Sequence, residues 1–264
     1  MPILVLYEHP LSPYAQKVKI ALREKGLPFE ARMPEGIGAG HTKGEFADAN
    51  PRREVPALIH GDTAIFDSTV ILEYIEDKWP QPPLLPEAPA ARAHARQIED
   101  VMDTHFEAIT WGLGELHFFR RGDEAVRKVI EARAGQQIAG FMAWLDGKLD
   151  EDDWFSGDDF GRADLSVIPY LNAADGFGYT PVAGSRLDAW MARANGRDSV
   201  SQTDAESRAS ITGMQMVSAA VEAGLFKRQY RDHRLEWMIK SGGMDIVQDG
   251  LAKGTIRFTD HWDT

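Results

Sequence analysis

The feature that most constrains the fold is a change of pattern at a proline cluster. Pro80, Pro82, Pro83, Pro86 and Pro89 fall within ten residues. Proline lacks a backbone N–H and fixes φ, so neither a helix interior nor a central strand can run through such a segment. It reads as a stiff linker. Strand and helix signals alternate before it, and helical periodicity alone follows it. A chain divided in this way is expected to form an α/β half and a separate all-α half.

In the first half, Ile3 to Tyr7 is an apolar run of strand length. Ser12-Pro13 opens a helix in which Val18, Ala21 and Leu22 share a face, with Lys17, Arg23 and Lys25 elsewhere and Gly26 as the stop. Phe29 to Arg32 is a second strand, followed by a Gly-rich loop from Glu35 to Gly44 and a short helix or turn to Ala49. Pro56 to His60 and Thr63 to Phe66 flank Gly61-Asp62, a hairpin turn signal. Ser68 to Trp79 is an amphipathic helix carrying Ile71, Leu72 and Ile75 on one side. The order is a βαβ unit joined to a ββα unit.

After the linker, Ala90 to Arg121 and Asp123 to Leu149 are expected to be long helices, with shorter ones at Arg162 to Ala174 and Arg186 to Ala194. Beyond about 199, Ala205 to Phe226 suits one helix interrupted near Gly213. Arg231 to Lys240 suits another, stopped by Gly242-Gly243. The stretch with Phe258, His261 and Trp262 has no assignable pattern. The expected organisation is therefore residues 1–80, linker 81–89, a helical domain 90–200 and an extension 201–264.

Composition removes several function classes. The formal charge is −12, which argues against nucleic acid as a main partner because phosphate contacts need clustered Lys and Arg. With no cysteine, disulfides, thiolate metal sites and a cysteine nucleophile are excluded, and a cytoplasmic location is compatible. The apolar start lacks a basic flank, and no stretch approaches the length of a membrane span, so no membrane association is expected. His94, His105, His117, His233 and His261 show no metal-ligand spacing, and no metal is expected. Asp100, Asp103 and the run Asp150 to Asp153 read as solvated faces or a helix end; the run lacks the alternating ligands and central glycine of a calcium loop.

Three segments carry chemistry. Ser12 stands where a strand hands over to a helix N-terminus, a position that favours an anion; it is either a simple N-cap or a hydroxyl donor able to pull a thiol toward thiolate. In Asn50-Pro51-Arg52-Arg53-Glu54-Val55-Pro56, Pro56 is either an edge-strand proline or a cis proline that turns the Val55 backbone toward an extended peptide. At Asp67-Ser68 a carboxylate and a helix N-terminus adjoin. That pair is an ordinary cap or a receptor for the ammonium and carboxylate of an amino-acid head group.

The order and spacing of Ser12-Pro13-Tyr14 with Val18, Asn50-Pro51 with Val55-Pro56, and Asp67-Ser68 with Ile71 resemble the glutathione transferase family. His41, five residues before Phe46 and nine before Asn50, is spaced as in the theta and phi classes. The resemblance covers roughly 1–200 and implies a thioredoxin-like domain followed by a helical bundle. It implies glutathione as co-substrate and a homodimer. Ser12 would be the catalytic hydroxyl on the thiolate; Val55 and Pro56 would meet the cysteinyl backbone, Asp67 and Ser68 the γ-glutamyl end, and His41 the glycine end, with Lys43 a second cation. Tyr14, Trp111, His117 and Phe118 would line the pocket of a hydrophobic electrophile, attacked by conjugation or by glutathione-dependent ether cleavage or dehalogenation; helix-packing core is the alternative for Trp111, His117 and Phe118. The tail, with Trp237, Met238, Phe258 and Trp262, is then a lid, an outer layer or part of a dimer contact. The lack of cysteine excludes thiol exchange through the enzyme.

Three positions depart from the family pattern. Arg53 stands where glycine is frequent, Glu54 where lysine or glutamine is usual, and Gly161 where a Ser or Thr usually opens the buried capping box that ends in Asp164. Asp164 is accordingly read as a folding residue. Glu54, an acid near an anionic tripeptide, and the long tail keep open a non-catalytic protein that uses the same fold for binding or assembly.

Overall fold

The computed structural model describes residues 3–37, 42–149, 153–211, 219 and 233–253. A four-stranded sheet comes first: β1 (Leu4–Tyr7), β2 (Phe29–Arg32), β3 (Ala57–His60) and β4 (Thr63–Phe66), in the spatial order β2-β1-β3-β4. β1 runs parallel to β2, with Leu4 opposite Phe29, and antiparallel to β3, with Leu6 opposite Leu58. β3 and β4 form the hairpin about Gly61, whose φ of +61° suits a residue without a Cβ. Helices α1 (Pro13–Glu24) and α3 (Ser68–Lys78) pack on the sheet, and α2 (Glu45–Ala49) lies between β2 and β3. Leu6, Val18, Leu22, Leu58, Ile71 and Ile75 are fully buried between these layers. This is a thioredoxin-like domain.

The lysines of α1 and its C-cap are withdrawn from solvent. α1 packs against α3 on one side and against two later helices on the other, so Lys17, Lys19 and Lys25 are buried and each has anionic partners. Lys25 also ties down the proline segment, donating to the carbonyls of Trp79 at 2.7 Å and Pro82 at 2.6 Å. The Glu76 carboxylate accepts from Leu84 and Leu85 N–H, and both leucines are buried. The linker is thus pinned at its start and middle.

The helical half contains α4 (Pro89–Val101), α5 (Glu107–His117), α6 (Glu124–Leu149), α7 (Arg162–Gly176), α8 (Arg186–Asn195) and α9 (Asp198–Ile211). The single helix expected over Ala90 to Arg121 is broken. A π-helical turn, Met102–Phe106, separates α4 from α5, and Arg120 (φ +53°) and Gly122 (φ +75°) then reverse the chain. Phe106, Phe141, Tyr170 and Trp190 fill the bundle interior, which is continuous with the sheet core.

α9 begins seven residues before the helix expected at Ala205 and spans the 200/201 boundary. Burial of Ser199, Val200 and Thr203 extends it, although that stretch is weakly helical by propensity. α9 lies along α1: Arg197 pairs with Glu24 at 2.7 Å and Arg23 reaches Thr203 and Glu206. Among the described residues two short helices follow, α10 (His233–Lys240) and α11 (Met244–Ala252), the second not foreseen and started after Gly242 (φ +84°). The remainder of the Ala205 to Phe226 segment, the side chain of Trp237, and Phe258, His261 and Trp262 lie outside the described residues, as do Asp150 to Asp152.

Candidate functional site

Two helix N-termini frame the site. At the first, Ser12 caps α1. Its Oγ accepts from Ala15 N–H at 3.4 Å, its carbonyl accepts from Ala15 and Gln16, and Pro13 occupies the first helical position. The preceding loop is held by Gln16, which donates from Nε2 to Pro10 O at 2.7 Å and to Ser207 Oγ of α9 at 3.2 Å. Tyr14 turns its phenol onto the Asp103 carbonyl at 2.6 Å. The other hydroxyl of this region, on Tyr7, donates to Glu45 at 2.6 Å. Burial and that carboxylate raise its pKa, so it is poorly placed to stabilise an external thiolate.

At the second, Asp67 caps α3. One carboxylate oxygen, Oδ1, accepts from Thr69 and Val70 N–H at 3.0 and 3.3 Å, and the other, Oδ2, faces Arg52 at 3.1 Å. Asp67 itself has φ +77°, a backbone conformation rare for residues other than glycine, which is held by the capping bonds around it. Ser68 follows, buried at the first position of α3.

The strand edge between them is shaped by a turn. Asn50 accepts from Arg52 N–H through its side chain at 3.0 Å and from Arg53 N–H through its carbonyl at 3.0 Å. Arg53 then takes φ +55°, which is the physical reason glycine suits this position in the family pattern. The Val55-Pro56 bond is cis.

These pieces meet in one open cleft of about 280 Å³, whose walls include Tyr14, Val55, Pro56, Asp67, Ser68 and Asp103. Four of the five residues expected to hold the tripeptide are therefore together. The fifth, His41, lies outside the described residues. Ser12 is not among the lining residues, although Tyr14, two residues on, is. Lys43 is exposed and does not line the cleft.

The expected electrophile wall is only partly in place. Trp111, His117 and Phe118 do not line this cleft. His117 stacks at 5.3 Å on Phe177 and lies 3.4 Å from Glu131, and Phe118 packs on Phe177 at 5.5 Å. The end of α5 carries these rings toward the C-terminal end of α7. The wall comes from earlier in the same run, from Asp100, Asp103 and Thr104, whose i, i+3, i+4 spacing places one face of a helix there.

Asp103 is not the solvated acid that its sequence setting implied. Lys17 Nζ lies 2.5 Å from Oδ2, and Tyr170 donates to Oδ1 at 2.8 Å. Burial raises the Asp103 pKa against the pull of Lys17. Behind it Lys17, Glu99 and Arg162 form a chain of charges between α1, α4 and α7: Lys17 to Glu99 at 2.7 Å, and Arg162 to Glu99 at 2.7 Å. Burial pushes the Glu99 carboxyl up, but Lys17 and Arg162 together outweigh that and hold it below its ordinary value. Thr69, beside Ser68, donates to the same carboxylate at 3.0 Å, so the N-terminus of α3 is fixed from below by the helical half.

Asp164 has the structural place expected of it. It accepts from Gly161 N–H at 2.9 Å, Phe155 N–H at 3.1 Å and Trp190 Nε1 at 2.7 Å, and complete burial raises its pKa to about 6. Gly161 is required by a close approach: a Cβ there would lie 2.7 Å from the Leu84 carbonyl oxygen, which Arg162 N–H also contacts at 2.6 Å. Among the described residues no group of three or more His, Asp or Glu is arranged to hold a metal ion, and no helix is long and apolar enough to cross a membrane.

Comparison with known proteins matches residues 6–83 to the sequence family described as "Glutathione S-transferase, N-terminal domain". Glutathione S-transferase 1 of Dianthus caryophyllus is 30% identical over 210 residues, covering 70% of this chain and 86% of that protein. A maleylacetoacetate isomerase of Pseudomonas aeruginosa is 31% identical, covering 70% of this chain and 85% of its own length. Among solved structures, a rice glutathione transferase in complex with glutathione superposes with a TM-score of 0.67 at 27% identity, covering 82% of this chain and 96% of that one.

Proposed function

Since this chain belongs to the glutathione transferase family, we propose that it binds glutathione across the cleft between β3, α3 and the π-helical turn and attacks a hydrophobic electrophile with the activated thiolate. The observation that carries this reading is the meeting of Val55, cis Pro56, Asp67 and Ser68 in one cleft. An extended γ-glutamyl peptide needs backbone partners along its middle, and an acid beside a helix N-terminus at its amino-acid end. The cleft offers both.

Ser12 activates the thiol. As the cap of α1 its Oγ uses a lone pair to accept from Ala15, which leaves the O–H proton available to a thiolate. Capping and activation are therefore compatible roles of one hydroxyl. The α1 N-terminus adds partial positive charge that favours the ionised sulfur. The sulfur then forms a bond to the electrophilic carbon as the leaving group departs, by conjugation, ether cleavage or dehalogenation. A homodimer in the cytoplasm is part of this reading.

A second reaction suits the same thiolate. The Pseudomonas aeruginosa relative is named as an isomerase, and a thiolate that adds to a conjugated carbon and is then expelled would isomerise a double bond with no net consumption of glutathione. Product analysis separates the two, because conjugation consumes the thiol and isomerisation does not.

The test is isothermal titration of glutathione into the purified protein, with Asp67→Ala as control. Binding that is lost in the variant supports the site. Absence of binding at millimolar glutathione to the unaltered protein removes this reading and favours the non-catalytic one.

A further inference from the structure

Arg52 is the one cation among the described residues that line the cleft, against Glu54, Asp67, Asp100 and Asp103. Glutathione carries two carboxylates and one ammonium, so in an acidic cleft a cation facing a carboxylate adds to what Ser68 and the N-terminus of α3 offer. The position at which the family pattern has lysine or glutamine is Glu54 here, and it lines the same wall. Lys43 is outside the cleft.

The Arg52 side chain is held but not spent. Its Nη1 lies 3.1 Å from Asp67 Oδ2, its guanidinium carbon is 5.8 Å from the centre of the Phe66 ring, and the side chain is 45% exposed. Its backbone N–H is fixed by Asn50, so the stem starts from a rigid turn. The guanidinium has five N–H donors, of which Nη1 alone is engaged on Asp67. Asp67, for its part, uses Oδ1 for the helix cap and has only Oδ2 for a cation. Arg52 thus occupies the oxygen that the ammonium of an amino-acid head group would need.

Resting on the glutathione reading above, the geometry points to Arg52 as the residue that receives the γ-glutamyl α-carboxylate, yielding Asp67 Oδ2 to the adjacent ammonium as it does so. The bound state then alternates in charge: guanidinium, α-carboxylate, ammonium, Asp67 carboxylate. Without ligand the guanidinium stands in for the ammonium. Arg52 is a binding and specificity residue in this scheme; it has no part in moving the thiol proton.

The scheme separates the two charges of the head group, and so does its test. Glutathione and 4-aminobutyryl-cysteinyl-glycine, which lacks only the α-carboxylate, are titrated into the native protein, Arg52→Gln, Arg52→Lys and Asp67→Asn. Arg52→Gln should weaken glutathione about tenfold or more, the scale of a lost charge-assisted contact. It should leave the decarboxylated peptide within about twofold, or tighten it because Asp67 is released. Arg52→Lys should recover part of the loss, since a lysine supplies charge without the fork. Equal losses for both peptides in Arg52→Gln, or a loss below about twofold for glutathione, would overturn the assignment. If the native protein binds glutathione and Asp67→Asn does not, while Arg52→Gln binds normally, only this inference fails. If the native protein binds no glutathione, it falls together with the reading on which it rests. Thermal unfolding of each variant, expected to match the native protein because Arg52 is on an exposed turn, separates a binding defect from misfolding.

Discussion

Lys17 on the first helix and Glu99 on the fourth, 82 residues apart, meet at 2.7 Å with both side chains shut away from solvent (0% and 2% exposed). This pair joins the sheet domain to the helical bundle directly beneath the cleft. Glu99 also takes Arg162 and Thr69, so one carboxylate fastens α1, α3, α4 and α7. A buried pair of this kind is weak as a net source of stability, yet removal of one partner is costly because the other charge stays in a poor dielectric. Lys17→Met is therefore expected to lower unfolding free energy by about 3–5 kcal/mol. Urea denaturation followed by far-UV circular dichroism is the check, and a change well under 1 kcal/mol would mean that water reaches the pair.

The same carboxylate sets an acid limit. Glu99 is held below its ordinary pKa by Lys17 and Arg162 against the opposing effect of burial. The sign follows from the lower folded value. Its contribution is complete above the unfolded pKa of about 4.3 and is lost as pH falls through the folded value below it. Glu99→Gln should be less stable at neutral pH and should show a shallower decline between about pH 4.5 and 3 than the native protein. Parallel declines in denaturant midpoint would assign the acid limit to other groups.

Gly161 offers a prediction against the family pattern. Serine is the better N-cap in isolation, so Gly161→Ser looks favourable from sequence. The Leu84 carbonyl lies 2.7 Å from where its Cβ would stand, and that carbonyl is backbone in the pinned linker. The substitution is expected to cost about 1–3 kcal/mol. A stabilised Gly161→Ser protein would show that the linker can move aside.

Ser12→Ala should reduce turnover roughly 10²-fold, the typical loss of one donor on a developing or full anion. Glutathione affinity should stay within a few-fold, since Val55, Asp67 and Ser68 hold the peptide's backbone and head group and keep their places. The pH profile of kcat/KM for the electrophile at saturating glutathione gives the more specific sign: its acid limb should shift to higher pH, because the bound thiol loses a donor that favours its ionised form. An unchanged profile and rate would leave Ser12 as a helix cap alone.

Asp67→Asn separates the cap from the charge. Asparagine caps helices as well as aspartate and tolerates positive φ, so stability should change by no more than about 0.5 kcal/mol. Glutathione affinity should still drop about tenfold or more, because the ammonium loses its anion. Calorimetry with a matched thermal melt reads both, and retained affinity would place the head group elsewhere.

Much of this protein is written in short-range signals. Strand β1 follows from an apolar run, α1 from Ser12-Pro13 and its apolar period, the hairpin from Gly61-Asp62, and α3 from Asp67-Ser68 before Ile71 and Leu72. Each depends on dihedral preferences and on partners within a few residues, so neighbours in sequence suffice. The division at the proline cluster is legible for the same reason. Four of the expected site residues, Val55, Pro56, Asp67 and Ser68, come together because all sit at the ends of such elements.

What only the tertiary structure decided is where charge goes and which surfaces touch. Lys17, Lys19 and Lys25 are buried because α1 packs against α3, α7 and α9 and because acids elsewhere in the chain compensate their charge. Asp103 enters the cleft through a π-helical turn that periodicity had drawn as plain helix, while His117 and Phe118 are carried to Phe177. α9 starts early because α1 is there to bury Ser199, Val200 and Thr203. Gly161 is glycine because Leu84 comes within reach across the fold. Hydrogen-bonding and dihedral preferences act locally and leave their mark on the sequence, whereas desolvation and steric contact depend on neighbours that exist only once the chain has closed.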